Sequence, residues 1–293
     1  MKPVPFSYSA PASLDELTEI LASREDAAST AILAGGQSLM PLMALRKARP
    51  TSVVDINGLE DELGAISAEG SALRLGALVR QRVAERDARV AERVPLLAEA
   101  LPLCARPAIR TRGTIGGSLT YADPAAEIPV VARAADATMI ASGPRGVRGI
   151  GAAEFFVGPY TTALATDEFL SAVDFPELRP GTGTCFLEIS QRHGDRPIVA
   201  VAAVVTLAEG RISEARVALG GVGARPVRAA AAETALAGQE PDRDALELAG
   251  SIAGQDIEPD SDPRASSAYR RQATRVLVRR ALTTAVRRAG GTV

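Results

Sequence analysis

The sequence is short of aromatic residues, which make up 3% of 293 positions with no tryptophan among them. It holds one histidine, His193, and two cysteines, Cys104 and Cys185. A lone histidine leaves no imidazole set for a metal and makes a Ser-His-Asp triad a poor fit. Two cysteines build neither a disulfide framework nor the four thiolates of an iron–sulfur cluster, and both read as buried small hydrophobes. Positive charge is not in excess: Lys+Arg is 33 against Asp+Glu 35, for a net charge of −2. A nucleic-acid partner therefore lacks its usual electrostatic footing. Long hydrophobic runs are missing too. The longest, Ile198 to Leu207, falls well below the ~20 residues that a membrane helix requires. The opening Met1-Lys2-Pro3-Val4-Pro5-Phe6 carries no signal-peptide pattern, so a cytoplasmic location is expected. With so few groups for acid–base or nucleophilic work, a borrowed cofactor is expected to carry the chemistry.

What is present is a composition ordinary for a folded protein, 46% hydrophobic and 23% charged. Ser13-Leu14-Asp15-Glu16 is a capping-box pattern, and Leu14, Leu17, Ile20 and Leu21 recur at helical spacing, which predicts a helix over 14–23. Thr30–Leu33 reads as a buried strand and Ser52–Ile56 as another, a β-α-β opening. Gly64 to Leu78 reads as a hairpin turning at Gly70, followed by helical patterns near 79–86 and 94–104. A second hairpin is expected around Ser142-Gly143-Pro144-Arg145-Gly146, then a strand over Phe169–Phe175. Glu177 to Thr184 reads as a linker. Three strands over 185–190, 198–207 and 212–219 and helices near 227–237, 242–251 and 266–289 complete the chain. The arginines of the last helix are expected on a solvated face or paired with the acidic stretch Glu258 to Asp262.

Two glycine-rich turns carry the chemical signal. Ala34-Gly35-Gly36-Gln37-Ser38 follows a strand directly, and Thr114-Ile115-Gly116-Gly117-Ser118 repeats the pattern of Gly-Gly with a nearby serine. Glycine permits positive φ and close approach of a ligand to the backbone. Successive N–H groups then form an anion-binding concavity to which a serine hydroxyl adds a donor. Either turn alone is also readable as a tight connection. Facing each other, the pair would hold both phosphates of a pyrophosphate without a lysine. The pattern is neither the G-x-G-x-x-G fingerprint nor a P-loop. Asp123, in Tyr121-Ala122-Asp123-Pro124-Ala125-Ala126-Glu127, reads as an acceptor for a ribose hydroxyl, as a helix N-cap ahead of Pro124, or as both.

Together with Arg112-Gly113, Met40-Pro41-Leu42-Met43, the run Phe155 to Leu164 and Arg192-His193-Gly194-Asp195, these stretches resemble the FAD-binding medium subunit of molybdenum hydroxylases. That family includes aerobic carbon monoxide, xanthine and N-heterocycle dehydrogenases. The resemblance runs from about Phe6 to the last helix. It implies an α+β, two-subdomain FAD-binding fold of the vanillyl-alcohol oxidase (PCMH-type) class. On that basis 1–58 is an N-terminal α/β subdomain, 59–177 a middle α+β subdomain, and 178–293 a C-terminal domain of three antiparallel strands and helices.

The resemblance also implies noncovalent FAD and roles for particular residues. Ala34, Gly35, Gly36, Gln37 and Ser38, with Thr114, Ile115, Gly116, Gly117 and Ser118, would grip the pyrophosphate and ribityl chain. Ile32 and Leu33 would add backbone contacts, Asp123 would lie toward the adenosine, and Leu164 and Leu170 would pack on cofactor rings. The segment Arg192 to Arg196 would approach the isoalloxazine, with Arg192 as its positive charge. Three positions depart from the pattern: Arg196 stands where many members have an aromatic, Glu188 near where xanthine dehydrogenases have a lysine, and Gln37 where several relatives have histidine. The function implied is electron transfer. Electrons would come from [2Fe–2S] clusters of a small partner, which receives them from a large molybdenum-cofactor subunit, and would pass to an external acceptor; the expected assembly is a dimer of heterotrimers. No catalytic acid–base residue is expected in this chain. A free-standing FAD reductase with a nicotinamide donor and a scaffold subunit without flavin stay open as alternatives.

Overall fold

The computed structural model describes residues 2–23 and 29–293. Near the N-terminus, Ser7–Ser9, Ser52–Asp55 and Thr30–Leu33 form a parallel sheet with Ser52–Asp55 in the centre. The first of these strands is not visible in the sequence pattern. Thr30–Leu33 is half-buried rather than buried, because it is an edge strand. The helix Leu14–Ala22 starts where its cap predicts: Ser13 Oγ accepts the Glu16 N–H at 3.1 Å. Leu17 and Leu21 from this helix bury against Val54, Ile56, Leu59, Leu63, Leu78 and Phe169.

The second sheet is antiparallel, in the order Ile66–Glu69, Ala72–Gly76, Phe169–Pro176, Thr138–Gly143, Gly146–Gly151. Both expected hairpins form. The strand Phe169–Pro176, late in this region, inserts between them as the central member. An Arg74–Asp174 pair, Nε to Oδ1 at 2.7 Å, sits at directly opposed positions of that junction. Between the hairpins lie short helices: Gln81–Ala84, Ala88–Arg93, Pro95–Ala100, Pro107–Arg112, Ile115–Tyr121 and Glu127–Ala134. The predicted 79–86 and 94–104 helices are thus trimmed, and Ala88–Arg93 is an addition. Proline at the first turn starts two of these helices.

The third sheet contains Thr182–Ile189, Val199–Ala208, Arg211–Gly220 and the two-residue Val227–Arg228, all antiparallel. Two sequence expectations are corrected here. Thr182 to Thr184 belong to a strand, not to the linker, and Val227 and Arg228 pair with Leu219 and Ala218 before the helix begins at Ala230. Val199–Ala208 is apolar along most of its length because both sheet faces are covered. Phe186, Ala200, Ala202, Val204 and Ala218 join the core of the middle region. Val199, Val201, Val205, Val217 and Leu219 face a second core closed by the helices Ala230–Leu236, Arg243–Gln255 and Ser267–Arg288. Four of the seven arginines of the last helix form ion pairs among the described residues, and one of these, Arg270, pairs with the acidic stretch. Arg270, buried, meets Asp262 at 2.8 Å, Arg275 and Arg279 meet Glu247, and Arg288 meets Glu99 at 2.7 Å.

Candidate functional site

The first glycine turn begins where the strand Thr30–Leu33 leaves its sheet. Ile56 donates its N–H to the Leu33 carbonyl at 3.0 Å, and the chain then crosses 34–38 to reach the helix Leu39–Ala44. Gly36 has φ +72, a conformation that a side chain disfavours. Among the described residues, the main-chain N–H groups of Gly35, Gly36, Gln37 and Ser38 donate to no protein acceptor, although Gly35 is buried. Buried N–H groups are rarely left without a partner, so this row of donors is suited to an anion. The Gln37 side chain turns inward, donating from Nε2 to the Gly35 carbonyl at 3.0 Å.

The second turn is built differently. It is the start of the helix Ile115–Tyr121, whose N-cap Thr114 accepts the Gly117 N–H on Oγ1 at 3.0 Å. Ile115 donates to Val79 O at 2.9 Å, Gly116 to Ala77 O at 3.0 Å, and Ser118 to Thr114 O at 3.2 Å. These donors are engaged inside the protein. Gly116 is required by packing, since a Cβ there would lie 2.6 Å from Ala77 Cβ. Gly117 has one close neighbour, Thr114 Oγ1, 2.7 Å from where a Cβ would stand, and Ser118 is half-buried with its hydroxyl in no hydrogen bond among the described residues. The first turn thus offers a row of N–H groups, the second a bare glycine surface and a hydroxyl.

The first turn meets the residues that lead into the second. A Cβ on Gly35 would stand 2.3 Å from the Arg112 carbonyl oxygen and 2.8 Å from Gly113 Cα. Side chains absent from the sequence reading lace this junction. Asn57 donates from Nδ2 to the Ala34 carbonyl at 2.9 Å, and Arg80 donates to Asn57 Oδ1 and to the Arg112 carbonyl, each at 2.8 Å. Asp55 completes the chain, accepting from Asn57 Nδ2 at 2.6 Å and from Tyr8 Oη at 2.8 Å. Burial works against the Asp55 charge, but the donors from Asn57 and Tyr8, with the Arg112 charge, hold its pKa below the usual carboxylate value.

The other predicted residues lie around this junction at different depths. Ile32 packs toward the N-terminal core, and Leu33 Cδ1 would touch a Cβ on Gly36 at 3.2 Å. Leu170 is buried and Leu164 half-buried in the core of the middle region. Asp123 is not a helix N-cap, because the following helix starts at Glu127 with Ala126 as its cap; Asp123 instead accepts the Ala125 N–H at 2.9 Å in a local turn. It also pairs with Arg196, whose guanidinium donates to Tyr160 Oη at 3.1 Å, and Tyr160 packs on Tyr121 with centroids 5.0 Å apart. The residue standing in for the expected aromatic therefore binds Asp123. Arg192 is exposed in the loop 190–195 and makes no ion pair or hydrogen bond with either turn among the described residues. That loop folds against 105–106, where a Cβ on Gly194 would lie 2.7 Å from the Ala105 carbonyl.

Beneath Asp123 the C-terminal sheet meets the start of the helix Glu127–Ala134. Glu188, Ala200 and Gly220 form a row across the strands, and a Cβ on Gly220 would touch Val130 at 2.4 Å. Burial raises the Glu127 pKa to about 7. Burial and the Glu127 charge raise Glu188 to about 8, and Glu188 Oε2 has no hydrogen-bond partner among the described residues. Burial, helped by both carboxylates, pushes the adjoining Cys104 thiol well up, and burial lifts Cys185 to about 11. Both cysteines are buried and free, as expected. No cluster of metal-ligating residues occurs among the described residues, and no described helix is long and apolar enough to cross a membrane.

The family described as the FAD binding domain in molybdopterin dehydrogenase matches residues 4–178, and the CO dehydrogenase flavoprotein C-terminal domain matches 184–285. The chain is 38% identical to the 6-hydroxypseudooxynicotine dehydrogenase complex subunit alpha of Paenarthrobacter nicotinovorans, over 99% of this chain and 97% of that one. Its fold superposes on carbon monoxide dehydrogenase from Hydrogenophaga pseudoflava with a TM-score of 0.94 at 36% identity, covering 98% of this chain and 99% of that one. Against quinoline 2-oxidoreductase from Pseudomonas putida 86 the TM-score is 0.92 at 37% identity, covering 99% of each chain. A turn with unpaired N–H groups set against the approach to a second glycine turn, on a fold shared with these enzymes, leads to one conclusion: the chain belongs to the FAD-binding medium subunits of the molybdenum hydroxylase family.

Proposed function

We propose that this chain relays electrons in a molybdenum hydroxylase, receiving them from [2Fe–2S] clusters of a small partner and delivering them to an external acceptor. The observation that carries the site is the row of unpaired N–H groups at Gly35 to Ser38, packed against Arg112 and Gly113 where the chain enters the second glycine turn. Those N–H groups bind the diphosphate of FAD, while Gly117 leaves room and Ser118 donates its hydroxyl from the other side. Ile32, Leu33 and Ala34 fix the approach of the first turn, with Thr114, Ile115 and Gly116 anchoring the second. Asp123 accepts from the adenosine side, Leu164 and Leu170 pack against rings, and Arg192 brings positive charge toward the isoalloxazine. Bound FAD supplies two-electron redox chemistry, which no side chain here provides. The division 1–58, 59–177 and 178–293 belongs to the same proposal, with FAD held between the first two parts.

The large molybdenum-cofactor partner and the small iron–sulfur partner complete the proposed assembly, a dimer of heterotrimers. Relatives of near-equal similarity are named for carbon monoxide, quinoline and 6-hydroxypseudooxynicotine, so substrate choice belongs to a partner rather than to this chain. The test is purification of the complex. Yellow protein with stoichiometric acid-releasable FAD, accompanied by one larger and one smaller chain with molybdenum and iron, is the expected result. A colourless chain that cannot be reconstituted with FAD overturns the site. NADH oxidation by the isolated chain with a defined small acceptor would mark a free-standing reductase instead.

A further inference from the structure

We infer that Asn57 and Arg80 are positioning residues of the cofactor site, a clamp that fixes the two glycine turns at the separation a diphosphate needs. The inference rests on the FAD reading above. Arg80 offers a planar fork of donors, and it uses two of them on acceptors that lead to different turns. One goes to the Arg112 carbonyl, next to the second turn. The other goes to Asn57 Oδ1, and Asn57 in turn donates to the Ala34 carbonyl at the head of the first turn. Each link is 2.8 to 2.9 Å long. Asp55 accepts from both the Asn57 main-chain N–H and Nδ2, and is itself held by the Tyr8 hydroxyl, so the Asn57 amide orientation is set before any ligand arrives.

Physical need for the clamp follows from the difference between the turns. The first presents N–H groups and the second a glycine surface with a hydroxyl, so the diphosphate is held properly only if both stand at a fixed distance. The contact of Gly35 with Arg112 and Gly113 brings the backbones together but supplies no directional bond. Arg80 and Asn57 supply it. Without them the turns must be ordered by the ligand itself, and affinity falls by that ordering cost.

The test measures FAD affinity of the full-length apo chain by flavin fluorescence quenching, alongside the apo Tm. Arg80→Met is expected to weaken FAD binding roughly tenfold, the usual size for one or two lost charge-assisted bonds. Arg80→Lys keeps the charge but spans only one acceptor, so it should recover part of the loss, to roughly threefold below wild type. Asn57→Ala should weaken binding similarly, and the double variant Asn57→Ala/Arg80→Met should lose no more than the stronger single one, because both break one chain of bonds. Unchanged FAD affinity in folded Arg80→Met, or in Arg80→Lys and Asn57→Ala if the first does not fold, overturns the clamp. Additive losses in the double variant overturn it too. Failure of the wild-type chain to bind FAD would strike the parent reading rather than this one.

Discussion

Single residues divide into those that hold the fold and those that hold the ligand, and the glycines separate the two cleanly. Gly35 and Gly116 occupy equivalent places in the two sequence motifs, yet a Cβ on Gly116 meets the core residue Ala77, whereas one on Gly35 meets Arg112 and Gly113 at the approach to the opposite turn. Gly116→Ala should therefore act as an overpacked core change, costing about 1–3 kcal/mol and lowering Tm. Gly35→Ala should push the first turn away from Arg112 and Gly113, lower Tm as well, and in addition weaken FAD binding at least roughly tenfold, or about 1.4 kcal/mol. Titration calorimetry and thermal unfolding of both variants check this. Equal FAD affinity in Gly35→Ala would remove the contact with Arg112 and Gly113 from the site.

Glu188 and Glu127 make a pH argument at the same scale. Both pKa values are raised in the fold, to about 8 and about 7, from 4.5. The folded chain therefore holds protons that the unfolded chain releases. Their contribution to stability is complete below pH 4.5 and is lost as pH rises through about 7 and then about 8. Glu188→Gln imitates the protonated acid at every pH, so its Tm should gain on wild type between pH 5 and pH 8.5, where wild type weakens (the upper pH lies about half a unit above the raised value). Tm curves that run parallel across that range would mean the carboxyl is solvated.

Among the elements, the last two long helices depend on how closely their backbones approach. A Cβ on Gly254 would fall 2.9 Å from the Arg271 carbonyl, and one on Gly250 2.6 Å from that of Arg275. Glycine-to-alanine changes inside helices ordinarily stabilise by up to about 1 kcal/mol. Here the sign should reverse, with Gly254→Ala costing about 2 kcal/mol and lowering Tm by about 3 °C. A rise in Tm would show that the helices can part without loss. Elements were also what the sequence displayed best. Ser13 capped the first helix, Gly70 and Gly146 turned the hairpins, and the run from Ile198 proved to be a strand covered on both faces. Val227–Arg228 is not legible in the sequence because two residues carry no periodicity, and they lie beside a helical pattern that absorbs them. Asp123 looked like a cap because Pro124 follows, but the chain makes a local turn first and enters its helix three residues later.

On the scale of the whole molecule, the glycine turns were legible because a conformational demand writes itself into residue type. Asn57 and Arg80 were not, since their partners lie 23 and 32 residues away and neither residue is unusual where it stands. The Glu127 and Glu188 pair was equally silent: its character comes from the C-terminal sheet closing over the middle region, not from either local sequence. One core runs across that closure, taking Phe186, Ala200, Ala202, Val204 and Ala218 from the C-terminal sheet, so the C-terminal part is packed into the flavin-binding half rather than tethered to it.

The central place of Phe169–Pro176 has a temporal side. Synthesis delivers both flanking hairpins before this strand, the first far ahead of it and the second shortly before, and either one formed alone would carry an open edge until this strand pairs with it. A nascent chain halted short of Phe169 thus exposes two unmatched β edges, and its safest course on the ribosome is to stay unfolded or guarded by a chaperone until the missing piece emerges.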